Sequence, residues 1–371
     1  MSLQNPFICY GSDGLSTLCG RPAETARLFS LIKENGNVIV SSPRRIGKTT
    51  FFRQTAQGIK EKNDELCIIA DIYPARNLKD LAVILANAFL DGATRKGEEC
   101  RRQFLGFVSE FFELNGPDIT RGLTREKLSL GTDAIAEEAV LVLLTFLESF
   151  PGRPVLFMDD FQQVLFLDAN EFISDMIRRM CNSSKRYVKV FGARSGAVDA
   201  LLLGENVPYA KMELNAFSSE DYFNYAQRLF LDNGRILPSE VFGLLYDSMF
   251  GVTCFIQRTL AAMYDITRPG QTCSEDTVSR AIDRILDENG YIYEDLIREL
   301  PPRQTDLLFV IARNHSVTGM ASTEFCFANG ISASSVQSAR RALLEKQLIS
   351  DDTKETFIRD EFLRLWINRT F

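Results

Sequence analysis

The stretch from Asn37 to Thr50, N-V-I-V-S-S-P-R-R-I-G-K-T-T, constrains this chain more than any other. Val38, Ile39 and Val40 form a short β-branched apolar run, the mark of a buried strand. Ser41 to Ile46 interrupt it with a proline and two arginines. Gly47-Lys48-Thr49 follow, and Thr50 to Lys60 reads as a helix with Phe52, Ala56 and Ile59 on one face. Strand, tight loop, Gly-Lys-Thr and helix in succession read as a phosphate-binding loop. The physics is local. N–H groups that open a helix have no intrahelical partner and point at an anion, and the helix dipole adds partial positive charge. Gly47 lets the backbone approach a phosphate, Lys48 is placed for the β- and γ-phosphates, and the Thr49 hydroxyl is placed for Mg²⁺. The usual pattern is G-x-x-x-x-G-K-[ST], and Ser42 stands at its first glycine. The competing reading is a Gly-Lys-Thr that merely opens a helix.

A second motif raises the phosphate reading. Pro154 to Asp160 reads P-V-L-F-M-D-D, four apolar residues ending in two carboxylates, as a buried strand does when its tip lines a site. Asp159 is then the Mg²⁺ carboxylate, directly or through water. Asp160 is placed to orient or deprotonate an attacking water, although it is one methylene shorter than the glutamate usual there. Gln162 and Gln163 are either water-positioning amides or surface residues of the next loop. Arg194, past a further strand at Tyr187–Gly192, is the candidate sensor of the γ-phosphate, with Ser195 as the alternative. Arg44 and Arg45 add positive charge within the loop, for phosphate, for a carboxylate or for a partner subunit.

The rhythm of the chain divides it in three. Up to residue 216, strands (38–40, 66–72, 154–160, 187–192 and an edge strand at 210–214) alternate with helices (around 26–32, 78–90, 104–112, 135–150 and 171–181). That alternation predicts a parallel α/β sheet covered on both faces. Residues 217–300 carry only helical periodicity, at 220–231, 238–249, 252–266 and 274–287, before Pro301-Pro302. Residues 301–371 read as helices at 303–313, 322–329 and 332–347 and a small hairpin around 348–358, the pattern of a winged helix-turn-helix. Phe362, Leu365 and Trp366 follow at helical spacing and predict a terminal segment that docks an apolar face.

Composition excludes several classes. With 371 residues and 45% hydrophobic content the chain supports two or three domains. No run suits a membrane span, and the N-terminus lacks a secretory signal, so a cytoplasmic location is expected. Eight scattered cysteines, none in a C-x-x-C pair, read as reduced core residues. His315, the only histidine, rules out multi-histidine metal sites and is expected at the surface in a polar turn. The net charge of −7 argues against a chain wrapped in nucleic acid.

With Ser42–Thr50, Met158-Asp159-Asp160-Phe161-Gln162 and the terminal domain assembled, the chain resembles the archaeal-type P-loop ATPases, a family near the AAA+ and signal-transduction (STAND) ATPases. Asn5-Pro6-Phe7, Cys19-Gly20-Arg21, Phe250-Gly251-Val252-Thr253, Phe255-Ile256-Gln257, Asp360-Glu361-Phe362 and Leu365-Trp366 extend the resemblance over nearly the whole chain. It implies strand order 5-1-4-3-2, a helical lid, a C-terminal winged helix, and Gly20 and Arg21 near the adenine. It also implies ATP and Mg²⁺ as ligands, with Ser42, Pro43, Arg44, Arg45, Ile46, Gly47, Lys48, Thr49 and Thr50 around the phosphates. Hydrolysis would be coupled to the winged helix. A regulator that binds nucleotide without turnover, and a small-molecule kinase, are the competing readings. The partner of the winged helix, DNA or protein, stays open, as does a homo-oligomer. From Pro301 to Phe371 nine Lys+Arg face eight Asp+Glu, so DNA binding through that segment is expected to be weak and salt-dependent.

Overall fold

Five strands, β1 (Asn37–Ser41), β2 (Cys67–Asp71), β3 (Val155–Asp159), β4 (Val188–Ala193) and β5 (Ala210–Glu213), pair in parallel in the order β2-β3-β4-β1-β5. This is the expected 5-1-4-3-2 order, and the expected edge strand is β5. The computed structural model describes residues 5–7, 20–111, 122–183, 185–194, 198–199, 202, 207–320, 322–351 and 355–371. Ser195, Phe112, Cys9 and Cys19 lie outside them. The chain divides into two compact units, Cys19–Ala216 and a second made of Met1–Leu18 with Phe217–Phe371.

In the first unit the pleat sorts the strand side chains onto two faces. Val38, Val40, Val155, Phe157, Val188 and Val190 meet α1 (Pro22–Glu34) and α2 (Lys48–Asn63), through Leu28, Ile32, Phe51, Phe52, Ala56 and Ile59. Ile39, Ile68, Ala70, Leu156, Met158 and Phe191 meet the other layer, α3 (Leu78–Lys96), α4 (Glu98–Ser109), α5 (Asp133–Ser149) and α6 (Asn170–Asn182). Strands buried on both faces read as apolar runs, unbroken in β1, β2 and β3 and interrupted only by Lys189 in β4, which is why four of them were legible in the sequence. Phe104 is the buried anchor of α4, against Phe146 of α5 at 5.3 Å, whereas Phe111 is exposed beyond the helix end.

The second unit holds α7 (Ser219–Leu231), α8 (Ser239–Ser248), α9 (Thr253–Ile266) and α10 (Glu275–Arg298). It continues with α11 (Pro302–Asn314), α12 (Thr323–Asn329), α13 (Ala333–Glu345) and α14 (Glu361–Thr370). A three-stranded sheet, β6 (Ser316–Val317), β8 (Thr356–Ile358) and β7 (Ile349–Ser350), completes the winged helix. The expected hairpin therefore gains a third strand, too short at two residues to leave a period in the sequence. α10 runs on to Arg298 instead of stopping near residue 287, because Tyr293 is buried beneath Trp366 at 5.8 Å. His315 is not a free surface residue. Its backbone is left-handed (φ 63°) and its ring stacks on Phe250 at 4.1 Å.

Residues 5–7, expected at the start of the ATPase core, pack in the second unit. Phe7 is buried among Tyr225 of α7 at 6.2 Å, Phe230 of α7 at 5.3 Å and Tyr264 of α9 at 6.0 Å. The Asn5 amide donates to the Ala261 carbonyl at 2.9 Å. Three residues carry no periodicity, so only the aromatic seat reveals where they belong. Among the described residues no helix is long and apolar enough to cross a membrane.

Candidate functional site

The candidate site lies at the carboxyl edge of the sheet, where ligands bind in open parallel α/β folds. β1 ends at Ser41, and the ladder continues one step further as the Ser42 N–H donates to the Ala193 carbonyl at 3.0 Å. The loop then turns through Arg45 (φ 63°) and Gly47 (φ 90°), and α2 begins at Lys48. Gly47 at the N-cap of α2 has no side chain to cap the helix, which suits its opening N–H groups to a ligand. The backbone at Gly47 is where glycine is required, because its left-handed conformation starts the helix with the chain bent over the site. Ile46 is buried and holds the loop down, and Arg21, itself buried, donates to the Ile46 carbonyl at 3.2 Å and pairs with Glu24 at 3.1 Å. Arg21 thus braces the loop between β1 and α2 from the N-cap of α1, while Gly20 beside it is exposed.

Lys48 and Thr49 converge on Asp159 at the tip of β3. Lys48 Nζ stands 2.9 Å from Asp159 Oδ1 and 3.5 Å from Asp160 Oδ1, and the Thr49 hydroxyl donates to Asp159 Oδ2. The Asp159 carboxylate is only 1% exposed, so its charge depends on these partners and on the Asp160 N–H, which donates at 2.9 Å. Asp160 follows in a left-handed conformation (φ 52°) that turns its carboxylate back to Lys48. Gln162, read as a water-positioning or surface amide, is buried and bridges the edge. Its Nε2 donates to Asp160 Oδ1 at 2.8 Å, and its Oε1 accepts from the Arg194 N–H at 3.3 Å. Gln163 donates to the Ala75 carbonyl at 2.9 Å and ties this turn to the segment after β2. Arg194 directly follows β4 and is half-buried.

Two observations show that the residues fit a magnesium–nucleotide pair. A hydroxyl and a carboxylate are hard oxygen donors, and P-loop magnesium is held by such a pair together with phosphate oxygens and water. Within the loop the Ser42 hydroxyl and Arg44 Nη1 are buried and meet no hydrogen-bond partner among the described residues, donors of the kind an anion satisfies. Pro43 and Arg45 are exposed, and Thr50 is half-buried in the first turn of α2.

Sequence reasoning missed Asp71. It ends β2 and is the register partner of Asp159. On their strands both follow the alternation that puts Cys67, Val155 and Phe157 toward the α2 layer, so both occupy that face. Although Asp71 is exposed overall, partial burial of its carboxyl group raises its pKa, reinforced by the like charges of Asp159 and Asp160 and opposed by a bond from the Tyr73 N–H and by Lys48. The signal was available, since C-I-I-A-D and V-L-F-M-D are the same phrase, an apolar strand closed by aspartate.

A family model described as "Probable winged helix domain" matches residues 291–369. No curated protein matches the sequence. Among solved structures, a Walker-type ATPase of Pyrococcus abyssi aligns over 95% of this chain and 96% of its own, with TM-score 0.57 and 14% identity. The Orc1 protein of Aeropyrum pernix, solved in complex with DNA, aligns over 99% of this chain and 97% of its own, with TM-score 0.56 and 13% identity. By its sheet order and these likenesses, the chain has the fold of the Walker-type P-loop ATPases and carries a C-terminal winged helix.

Proposed function

We propose that this chain is a nucleotide-dependent switch that binds ATP with Mg²⁺, hydrolyses it to ADP and phosphate, and couples that cycle to its winged helix. The observation that carries the reading is the convergence of Lys48 and Thr49 on the buried carboxylate of Asp159. Without nucleotide, Lys48 and Asp159 satisfy each other. With it, Lys48 turns to the β- and γ-phosphates, and Asp159 with Thr49 holds the metal. Bound Mg²⁺ neutralises charge on those phosphates. The loop from Ser42 to Thr50 cradles them, with Ser42 and Arg44 supplying side-chain donors. Arg194 reads the γ-phosphate, and Gly20 lies on the adenine side. A cytoplasmic setting, expected from the sequence, would supply both ligands.

A second reading, a nucleotide-gated regulator without turnover, is favoured by one observation. The Asp160 carboxylate is already engaged by Gln162 and Lys48. For the partner of the winged helix, the DNA complex of the A. pernix protein supports nucleic acid. The outward face of α13 offers Ser334, Gln337, Ser338 and Arg341, but Arg340 pairs with Asp351 and Arg341 with Glu345, which leaves a protein partner equally suited.

Calorimetry with Mg·ATP tests the site. Lys48→Ala is expected to weaken binding by about 10²-fold or more, through loss of a charge-assisted contact. Asp159→Asn is expected to remove the Mg²⁺ dependence of what binding remains. Unchanged affinity in Lys48→Ala would sink the assignment. Phosphate release with no added acceptor separates the ATPase from the regulator.

A further inference from the structure

We propose that Asp71, at the tip of β2, is the carboxylate that orients the attacking water during ATP hydrolysis, the task that position alone would give to Asp160. The inference rests on the ATPase reading above. Three observations carry it.

The first is placement. Asp71 is the Cα partner of Asp159 in a parallel register and shares the α2 face with it. On the strand beyond β3, Gly192 occupies the same face, and a Cβ there would stand 2.8 Å from Asp159 Oδ1. The row across the sheet is therefore carboxylate, metal carboxylate, and glycine.

The second is occupancy. The left-handed backbone of Asp160 turns its carboxylate toward Lys48, and its Oδ1 already accepts from Gln162 at 2.8 Å. Asp71 accepts one backbone bond, from Tyr73 at 3.1 Å, and is open to solvent, so a water molecule can reach it.

The third is charge. Asp71 feels Lys48, Asp159 and Asp160, which places its carboxylate in the field of the same site. In the step, the water oxygen bonds the γ-phosphorus as that phosphorus parts from the β,γ-bridging oxygen. The electron pair leaves with ADP, and the proton shed by the water passes by way of the carboxylate to solvent.

The test compares the full-length wild-type chain, Asp71→Asn, Asp71→Glu and Asp160→Asn. Three quantities are measured: Mg·ATP affinity by calorimetry, phosphate release, and trapping of ADP with fluoroaluminate, which mimics the transferring phosphoryl group with its in-line water. Asp71→Asn is expected to bind Mg·ATP within about threefold of wild type, to lose about 10²-fold in phosphate release, and to fail to trap the mimic. Asp71→Glu is expected to retain part of both signals. Phosphate release by Asp71→Asn within about threefold of wild type, with Asp160→Asn inactive, overturns the proposal in favour of Asp160. Loss of Mg·ATP binding in Asp71→Asn also overturns it, by making Asp71 a binding residue. A wild-type chain that binds Mg·ATP but releases no phosphate overturns the proposal and leaves the regulator, whereas one that does not bind Mg·ATP removes the nucleotide reading itself.

Discussion

Single residues at the sheet edge are held in place by what surrounds them as much as by their own chemistry. Gly192 shows this best. An added Cβ would stand 2.6 Å from the Phe52 ring and 2.8 Å from Asp159 Oδ1, and Phe52 is fully buried and cannot withdraw. Gly192→Ala is therefore expected to destabilise the first unit by about 1–3 kcal/mol and to displace the Asp159 carboxylate. A thermal melt checks the first effect and Mg·ATP calorimetry the second. A variant with wild-type melting and affinity would mean that the sheet edge yields more easily than its packing implies. The requirement is invisible in sequence, where Val190-Phe191-Gly192-Ala193 is simply a strand with a glycine in it.

At the scale of the element, β4 carries a cost inside the sheet. Lys189 is fully buried, its ammonium 4.7 Å from the centre of the Tyr187 ring and donating to the Tyr187 carbonyl at 3.3 Å. Burial lowers its pKa from 10.5 to about 8, with Arg153 acting in the same direction and Cys181 and Glu148 against it. The unfolded chain binds this proton more tightly, so the penalty is fully present below about pH 8 and fades as pH rises toward 10.5. Lys189→Met is expected to raise stability by about 1–3 kcal/mol at pH 7, a gain that shrinks toward pH 10. Denaturant melts at the two pH values measure it, and an equal gain at both would assign the effect to packing. β4 itself was legible from its apolar run, but the single lysine within it gave no hint that it points inward.

At the scale of the whole molecule, the helices at 219–298 and the winged helix share one compact unit, and α14 is the element that joins them. Its buried face is Phe362, Leu363, Trp366 and Ile367, with Leu365 half-buried, so the docking face is turned slightly from the one read in the sequence. Phe362 meets Phe255 of α9 at 5.4 Å, Trp366 meets Tyr293 of α10 at 5.8 Å, and Arg369 pairs with Asp287 at 2.8 Å. The only tryptophan of the chain thus reports on the seam between helical bundle and winged helix. If the proposed switch operates, Mg·ATP shifts Trp366 emission, ADP gives a different spectrum, and Lys48→Ala removes the response, because a ligand moves an equilibrium only through different affinities for two states. Identical emission in all three states, with binding verified separately, would leave a winged helix that the nucleotide does not move.

Elements whose signature is local were legible from the residues alone. A strand buried on both faces is an apolar run, Gly47-Lys48-Thr49 after such a run opens a helix, and Asp159 is the residue that ends another. What depends on neighbours distant in the chain came from the three-dimensional packing. It set Asp71 beside Asp159 through the register of β2 with β3, and seated Phe7 among rings of α7 and α9, more than two hundred residues away. It also stacked His315 on Phe250 and bound Gln162 between Asp160 and Arg194. Periodicity records which face of an element is buried, but not what lies against it, and strand register and long-range packing are the physics that supplies the partner.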